Sequence, residues 1–388
     1  MRGARRGEGK DSVPVRCSGF GPRVCFARVL HFGVPATLER VKALVIQENV
    51  PLAPMTTFGL GGAARWFVEV RSEVELAEGL AWAAAQGMPV FVLGGGSNLL
   101  VPDEGFPGLV LRIDIRGVQQ DKPWSPEFFV GAGEAWDSFV DVAVDSNCAG
   151  IECLAGIPGR VGGTPVQNVG AYGQDVSQTI RQVRVFDRHR SELRWLTNDE
   201  CRFRYRQSIF NTDEPGRYVV TAVVFQLRYG PPTLSYADLQ KRFSARWKAP
   251  GLREVADAVR EIRRSKGMLL VDGDPDTHSA GSFFKNPIVN AGLLGTIAAT
   301  AGVAPEAVPH WPAGDGRIKL AAAWLLEHAG FVKGFTDGVV GISSRHTLAL
   351  INRGGATFAD VERFEQRIRA TVEAKFGVTL TREPVVLG

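Results

Sequence analysis

PVFVLGGGSNLLV, residues 89–101, is an apolar run that enters three consecutive glycines and leaves as a second apolar run. Its first half has the length and β-branched content of a buried strand. Gly94, Gly95 and Gly96 accept positive φ at little steric cost, so successive backbone N–H groups can turn inward as an anion-binding nest, with Ser97 and Asn98 adding side-chain donors. The stretch reads as a phosphate holder, and a dinucleotide cofactor is its natural ligand. A Rossmann fingerprint needs a third glycine three positions after the second and a helix opening there, whereas Leu99, Leu100, Val101 and Pro102 follow here. A Walker loop ends in Gly-Lys-Ser/Thr, and no lysine is present. On these residues alone, a glycine-rich hairpin without a ligand stays open.

The chain has 388 residues, 45% apolar and 22% charged, which is the composition of a soluble globular protein with room for two or three domains. No apolar run approaches the roughly eighteen residues that span a bilayer, so a membrane partner is not expected and the protein reads as cytoplasmic. Residues 1–46 carry nine Lys/Arg against Glu8, Asp11 and Glu39, a net of +6, which leaves the remainder near −2. The basic balance therefore belongs to the leading segment and gives no reason to expect a nucleic-acid partner for the folded body. That segment lacks the apolar stretch of a secretory signal and reads as a disordered extension, with TLERVKALVIQ, 37–47, as a short helix. Cys17, Cys25, Cys148, Cys153 and Cys201 form no C-x-x-C pair, so neither a disulfide framework nor a zinc site is expected. The six histidines are equally dispersed and read as surface or structural residues.

Along the chain, AARWFVEV (63–70) reads as a strand. Ser72 and Glu75 read as the capping box of a helix through Gln86, which Gly87 and Pro89 terminate. Strands follow at 109–113 and 128–130, the latter running into Gly131-Ala132-Gly133, and then a helix over 136–147. Residues 150–176 hold seven glycines in twenty-seven positions among small and apolar residues. A flexible linker would be richer in Ser and charge, so this segment reads as ordered backbone approaching the same cofactor. Alternating, meander-like strands at 182–186, 193–196 and 218–228 enclose CRFRYRQSIF (201–210) and close an α+β module. A helix over 253–265 is read as opening a second domain. That domain contains GSFFKNP (281–287), a helix over 319–329, a strand around 347–351 and a long helix from the Thr357 cap to about 375. The chain ends on GVTLTREPVVLG, a last strand carrying Glu383.

VLGGGSNLLV, IPGRVGGTPVQNVGAYG, CRFRYRQSIF, GSFFKNP and KLAAAWLLEHAGFVKG, in this order, resemble the UDP-N-acetylenolpyruvoylglucosamine reductase family, from about residue 52 to the end. The resemblance implies an α+β fold: a two-part FAD-binding domain of the PCMH (vanillyl-alcohol-oxidase-like) type, followed by a smaller α+β substrate-binding domain. With the extension over 1–46, it gives a flavin region over 47–245, a substrate domain over 246–375 and a C-terminal strand over 376–388. It also implies FAD held without a covalent bond, NADPH as reductant and a UDP-sugar substrate; a monomer is taken as the default state. Matched position by position, the first flavin segment is Gly94, Gly95, Gly96, Ser97 and Asn98. The second comprises Gly156, Ile157, Pro158, Gly162, Gly163, Gln167, Asn168, Gly170, Ala171 and Tyr172. The family's proton donor falls on Ser282, its catalytic arginine on Arg206 and its catalytic glutamate on Glu383. Tyr236, Lys266 and Asn286 match positions that cover or bind the UDP-sugar.

The residue types fit that chemistry. Reducing an enolpyruvyl ether adds hydride to one alkene carbon and a proton to the other, while negative charge develops on the carboxylate side. The cofactor supplies the hydride, so positioning and electrostatics are left to the protein. An arginine on the substrate carboxylate stabilises the developing charge. A serine delivers a proton only if neighbours polarise it, which draws attention to Lys285, Asn286 and Glu383. Taken one at a time, Arg206 is a surface ion-pair candidate, GSFFKNP a turn with core phenylalanines and Glu383 an edge-strand charge. Two other functions stand beside the reductase: another flavin oxidoreductase of the same nucleotide-binding architecture, and a non-catalytic flavin or UDP-sugar binding protein.

Overall fold

AARWFVEV forms strand Ala63–Val70, and helix Glu73–Ala85 follows it with Ser72 accepting the Glu75 N–H at 3.1 Å. The strand that feeds the glycines is Val90–Leu93. It lies in a four-stranded sheet in the order Gln47–Pro51, Ala63–Val70, Phe106–Ile113, Val90–Leu93. The first pair is antiparallel and the others parallel, so the glycine loop leaves the carboxyl end of a parallel strand, where such sheets present their ligands. A five-stranded antiparallel sheet follows, in the order Glu192–Thr197, Ile180–Asp187, Tyr218–Gln226, Glu127–Gly131, Val118–Gln120. All its pairs are antiparallel, but it is not the meander the alternating pattern predicts: Ile180–Asp187 lies between Glu192–Thr197 and Tyr218–Gln226, because the long connection over 198–217 carries the chain across to the far side of Ile180–Asp187. The mixture of helix and strand is α+β throughout.

The computed structural model describes residues 44–245 and 247–388, and 44–388 form a single unit. Most of the basic extension, and the first part of the helix expected over 37–47, lie outside the described residues. Within 44–51 that expectation fails: Gln47–Pro51 is an edge strand paired to 63–67, because a partner strand with open hydrogen-bonding groups overrides weak local helix preference.

Two large apolar cores are present. The first, built from residues between Val68 and Val259, is centred on Trp136, Phe139 and Phe225, with ring centroids of Phe139 and Phe225 4.9 Å apart. Helix Leu252–Ser265 buries Val255, Ala256 and Val259 in this first core, so the helix read as opening the second domain packs with the flavin-side sheet. The second core gathers Phe283, Phe284, Leu325, Leu326, Phe364 and Ile368, and draws in Phe58, Leu60 and Leu100 from the first half of the chain.

KLAAAWLLEHA has helical periodicity from Lys319, but Arg317–Leu320 is the central strand of a three-stranded sheet, and the helix is confined to Ala322–His328. Asn286 fixes that start: its Oδ1 accepts the Ala322 N–H at 3.0 Å. The strand expected around 347–351 begins later, at Leu350–Asn352, because 343–349 is spent on a turn in which Ala349 N–H donates to the His346 carbonyl. Helix Phe358–Phe376 starts at the Thr357 cap and ends at Gly377, whose φ of 66° is the left-handed conformation a helix terminus favours in glycine.

Candidate active site

Each glycine segment has two faces. A Cβ added at Gly95 would lie 2.6 Å from Gly159 Cα, and one at Gly96, which has φ 64°, would lie 2.0 Å from the Met55 carbonyl oxygen. These two glycines are thus required by close backbone packing between the first loop and its protein neighbours. Gly94 and Gly163 differ: a Cβ on either meets nothing within 4 Å, leaving open backbone where a ligand can approach. Gly162 packs on Ala132, and Gly156 donates its N–H to Asp137 at 2.6 Å while Arg263 Nε donates to its carbonyl at 3.0 Å. Ile157, Pro158 and Gln167 are half-buried. Pro158 lines a cavity of about 30 Å³ together with Arg263, Leu269, Thr277, Ser279 and Gly281, which carries the second glycine segment to the edge of GSFFKNP. A larger surface recess of about 370 Å³, lined by Arg242, Glu254 and Glu261, contains none of the site residues.

The second segment also holds an arginine. Arg206 Nη2 donates to the Gly170 carbonyl at 2.8 Å and Nη1 to the Asn168 carbonyl at 3.4 Å. Its backbone sits at φ 56°, uncommon for a residue with a side chain. Asn211 Nδ2 bonds its carbonyl at 3.2 Å, and Asn211 Oδ1 accepts the Ser208 N–H, so the turn is over-determined by its surroundings. Asn168 itself is engaged with protein, Nδ2 donating to the Arg204 carbonyl and Oδ1 accepting Ser177 N–H.

Arg206 Nε lies 3.0 Å from Glu383 Oε1. Burial pushes the Glu383 carboxyl up, opposed by the charges of Arg206 and Lys285. Glu383 is placed by backbone on two sides: its N–H donates to the Phe283 carbonyl at 2.9 Å, and Asn98 Nδ2 donates to its carbonyl at 3.3 Å. Beyond it, Val385–Val386 pairs in parallel with Leu99–Leu100. Three stretches far apart in sequence, 94–98, 281–286 and 381–386, are thereby fastened together.

Ser282 follows Gly281, at φ 75°, and precedes Phe283, whose N–H donates to the Leu348 carbonyl at 2.7 Å. The serine is half-buried, and its hydroxyl makes no side-chain hydrogen bond among the described residues, so it is available to a ligand.

Lys266, Tyr172 and Tyr236 form a second group. The two rings meet edge to face at 5.0 Å, and Lys266 Nζ lies 5.8 Å and 5.9 Å from their centroids. Burial lowers the affinity of this lysine for its proton, but the 2.6 Å hydrogen bond to Asp238 and the neighbouring tyrosines more than offset that, and the net shift is upward. Ala171 lies in the short hairpin strand Gly170–Ala171 that leads into Tyr172. Asn286 stands apart, its side-chain oxygen committed to the cap of helix Ala322–His328.

Sequence reasoning missed three residues. Arg263 is a buried guanidinium with 7% exposure, and it tethers the second glycine segment. Arg160 Nη1 bonds the Gly133 carbonyl at 2.6 Å and Asp114, tying together the ends of both sheets. His346 is pushed down to about 4 by burial and by the charges of Lys266, Lys333 and Arg263, so it is neutral near pH 7, and Leu348 N–H donates to its Nδ1 at 3.1 Å. A dispersed histidine or arginine carries no sequence signal for any of this.

A strand-end glycine loop with open backbone, back to back with a second glycine segment, fits a flavin nucleotide, and residues 64–197 match a family model described as an FAD binding domain. The chain is a flavin-dependent oxidoreductase. Residues 274–387 match the model of the UDP-N-acetylenolpyruvoylglucosamine reductase C-terminal domain. The chain is 48% identical to UDP-N-acetylenolpyruvoylglucosamine reductase of Thermobifida fusca, over 88% of this chain and 98% of that one. It is 44% identical to the Streptomyces coelicolor protein of the same name over 98% of both. The crystal structure of the reductase from Thermus caldophilus aligns with a TM-score of 0.62 at 25% identity, over 89% of this chain and 100% of that one. The chain belongs to the UDP-N-acetylenolpyruvoylglucosamine reductase family.

Proposed function

We propose that Ser282, Arg206 and Glu383 carry the proton and charge chemistry of an enolpyruvyl ether reduction, with NADPH as the source of reducing equivalents. The overall reaction is the reduction of UDP-N-acetylglucosamine enolpyruvate to UDP-N-acetylmuramate in peptidoglycan synthesis. Bound FAD supplies the hydride, and Gly94 and Gly163 are the positions whose open backbone would admit it.

As hydride reaches one alkene carbon, negative charge builds on the carbon bearing the carboxylate and on the carboxylate itself. Arg206 is oriented by two carbonyls and one carboxylate before substrate arrives, so its charge stabilises that build-up without reorganising. Ser282 delivers the proton to the carboxylate-bearing carbon. Its hydroxyl is a weak acid that gives up a proton only when a neighbouring charge polarises it, a part this reading assigns to Lys285 of the same segment. Glu383 pairs with Arg206 and, from the strand hydrogen-bonded to the serine segment, is assigned the return of a proton to Ser282 through water. Lys266, with Tyr172 and Tyr236 around it, suits the diphosphate of the sugar nucleotide, a compact charge answered by an ammonium. A monomer in the cytoplasm is the simplest setting for these steps.

The observation that carries the reading is the meeting of Arg206 with Glu383 at 3.0 Å on the strand that hydrogen-bonds GSFFKNP. The test is Ser282→Ala, following flavin absorbance in each half-reaction. The variant is expected to be reduced by NADPH at nearly the normal rate and to reduce the sugar nucleotide at least about a hundredfold more slowly. Equal slowing of both half-reactions would remove Ser282 from the proton step.

A further inference from the structure

Glu365 is one of the buried charges to which the site described above gives no task. Glu365 lies on the inner face of helix Phe358–Phe376 with Val361, Phe364, Ile368 and Val372, and is 1% exposed. Its Oε2 is 2.6 Å from Nη2 of Arg382 and its Oε1 is 3.7 Å from Nη1 of Arg369. Arg382 immediately precedes Glu383.

Residues 381–383 are drawn out against 283–285. Lys285 N–H donates to the Thr381 carbonyl, Phe284 and Arg382 form an antiparallel bridge, and Glu383 N–H donates to the Phe283 carbonyl. In such a segment successive side chains take opposite faces, so Arg382 turned to the helix leaves Glu383 turned to Arg206. A slip of one residue exchanges those faces. Four backbone hydrogen bonds hold the segment, Lys285 to Thr381, Glu383 to Phe283, Val385 to Asn98 and Leu387 to Leu100, and a backbone bond does not by itself distinguish one side chain from the next. A buried ion pair is close to neutral for stability, but an arrangement that buries Glu365 without its partner is strongly disfavoured. The pair therefore discriminates between registers where the backbone alone discriminates weakly.

We propose that Glu365 is a positioning residue: through Arg382 it fixes the register of the C-terminal segment and so holds the Glu383 carboxylate against Arg206. This rests on the reading of Glu383 as part of the reacting site. The test is a double-mutant cycle on the flavin-loaded protein with Glu365→Gln, Glu383→Gln and the pair together. It records kcat and KM for UDP-N-acetylglucosamine enolpyruvate per bound flavin, with the melting temperature of each variant.

Glu365→Gln is expected to lower kcat at least about tenfold, the scale of a catalytic group displaced by a fraction of an ångström, with KM and the NADPH half-reaction little changed. In the Glu383→Gln background it should lower kcat no further. A normal kcat in Glu365→Gln, or losses that multiply independently in the pair, would overturn the positioning role. A near-normal kcat in Glu383→Gln would instead overturn the reading of Glu383, and this inference with it. If Glu365→Gln fails to retain flavin, Arg382→Gln closes the same cycle from the more exposed side of the pair.

Discussion

Glu383 occupies a place where burial disfavours its charge, and only Arg206 and Lys285 oppose that. A carboxylate whose folded-state value is raised stabilises the fold below its ordinary titration range, and that contribution is lost as pH rises through the raised value. Glu383→Gln removes the titration. The melting temperature of the variant relative to the native protein is therefore expected to become more favourable as pH rises through and beyond the ordinary carboxylate range, while turnover falls. Thermal melts across that range check it, and a constant or opposite difference would contradict it. At this scale the sequence supplied residue types and little geometry. Ser282 and Glu383 were legible only as members of motifs. The φ of 56° at Arg206 and its grip on the Asn168 and Gly170 carbonyls follow from how two distant loops meet. Gly95 and Gly96 carry the same lesson: a run of glycines signals close approach, but whether to ligand or to protein is decided by the neighbours, here Gly159 and Met55.

Single elements were legible where local rules suffice. Ser72 and Thr357 are caps whose side chains accept the expected N–H groups, although Glu75 accepts the Arg71 N–H and not that of Ser72, so the first box is only half formed. Thr357→Ala should cost about 1 kcal/mol in chemical denaturation, the usual worth of such a cap. A loss well below that would mean that Asp103, which accepts the Phe358 and Ala359 N–H groups from the loop after the first glycines, carries the helix start alone. Local rules failed where a partner intervened. Lys319 and Leu320 have helical periodicity but pair with Ile288 and His310, and Asn286 then fixes where the helix begins. The helix expected through residue 47 failed similarly, since Gln47 opens an edge strand captured by 63–67.

Across the whole molecule, contacts stitch the two cores together at the site. Thr57 Oγ1 donates to the Ser279 carbonyl at 2.6 Å, Asn352 Nδ2 to those of Phe58 and Gly59, and the chain end pairs with Leu99–Leu100. The first glycine loop, the serine segment and the terminal glutamate thus belong to one assembly, although no periodicity or spacing relates them. The fold class was readable from the alternation of strands and helices and from the order of five motifs. The convergence was not, because it depends on pairings between residues hundreds of positions apart. The proposed function runs two linked half-reactions at that convergence. The flavin-loaded protein, mixed anaerobically with NADPH and then with UDP-N-acetylglucosamine enolpyruvate, tests this by flavin absorbance and product analysis. Bleaching by NADPH, then full recovery with one equivalent of UDP-N-acetylmuramate formed, is the predicted result. Bleaching that persists after the sugar nucleotide is added would contradict it.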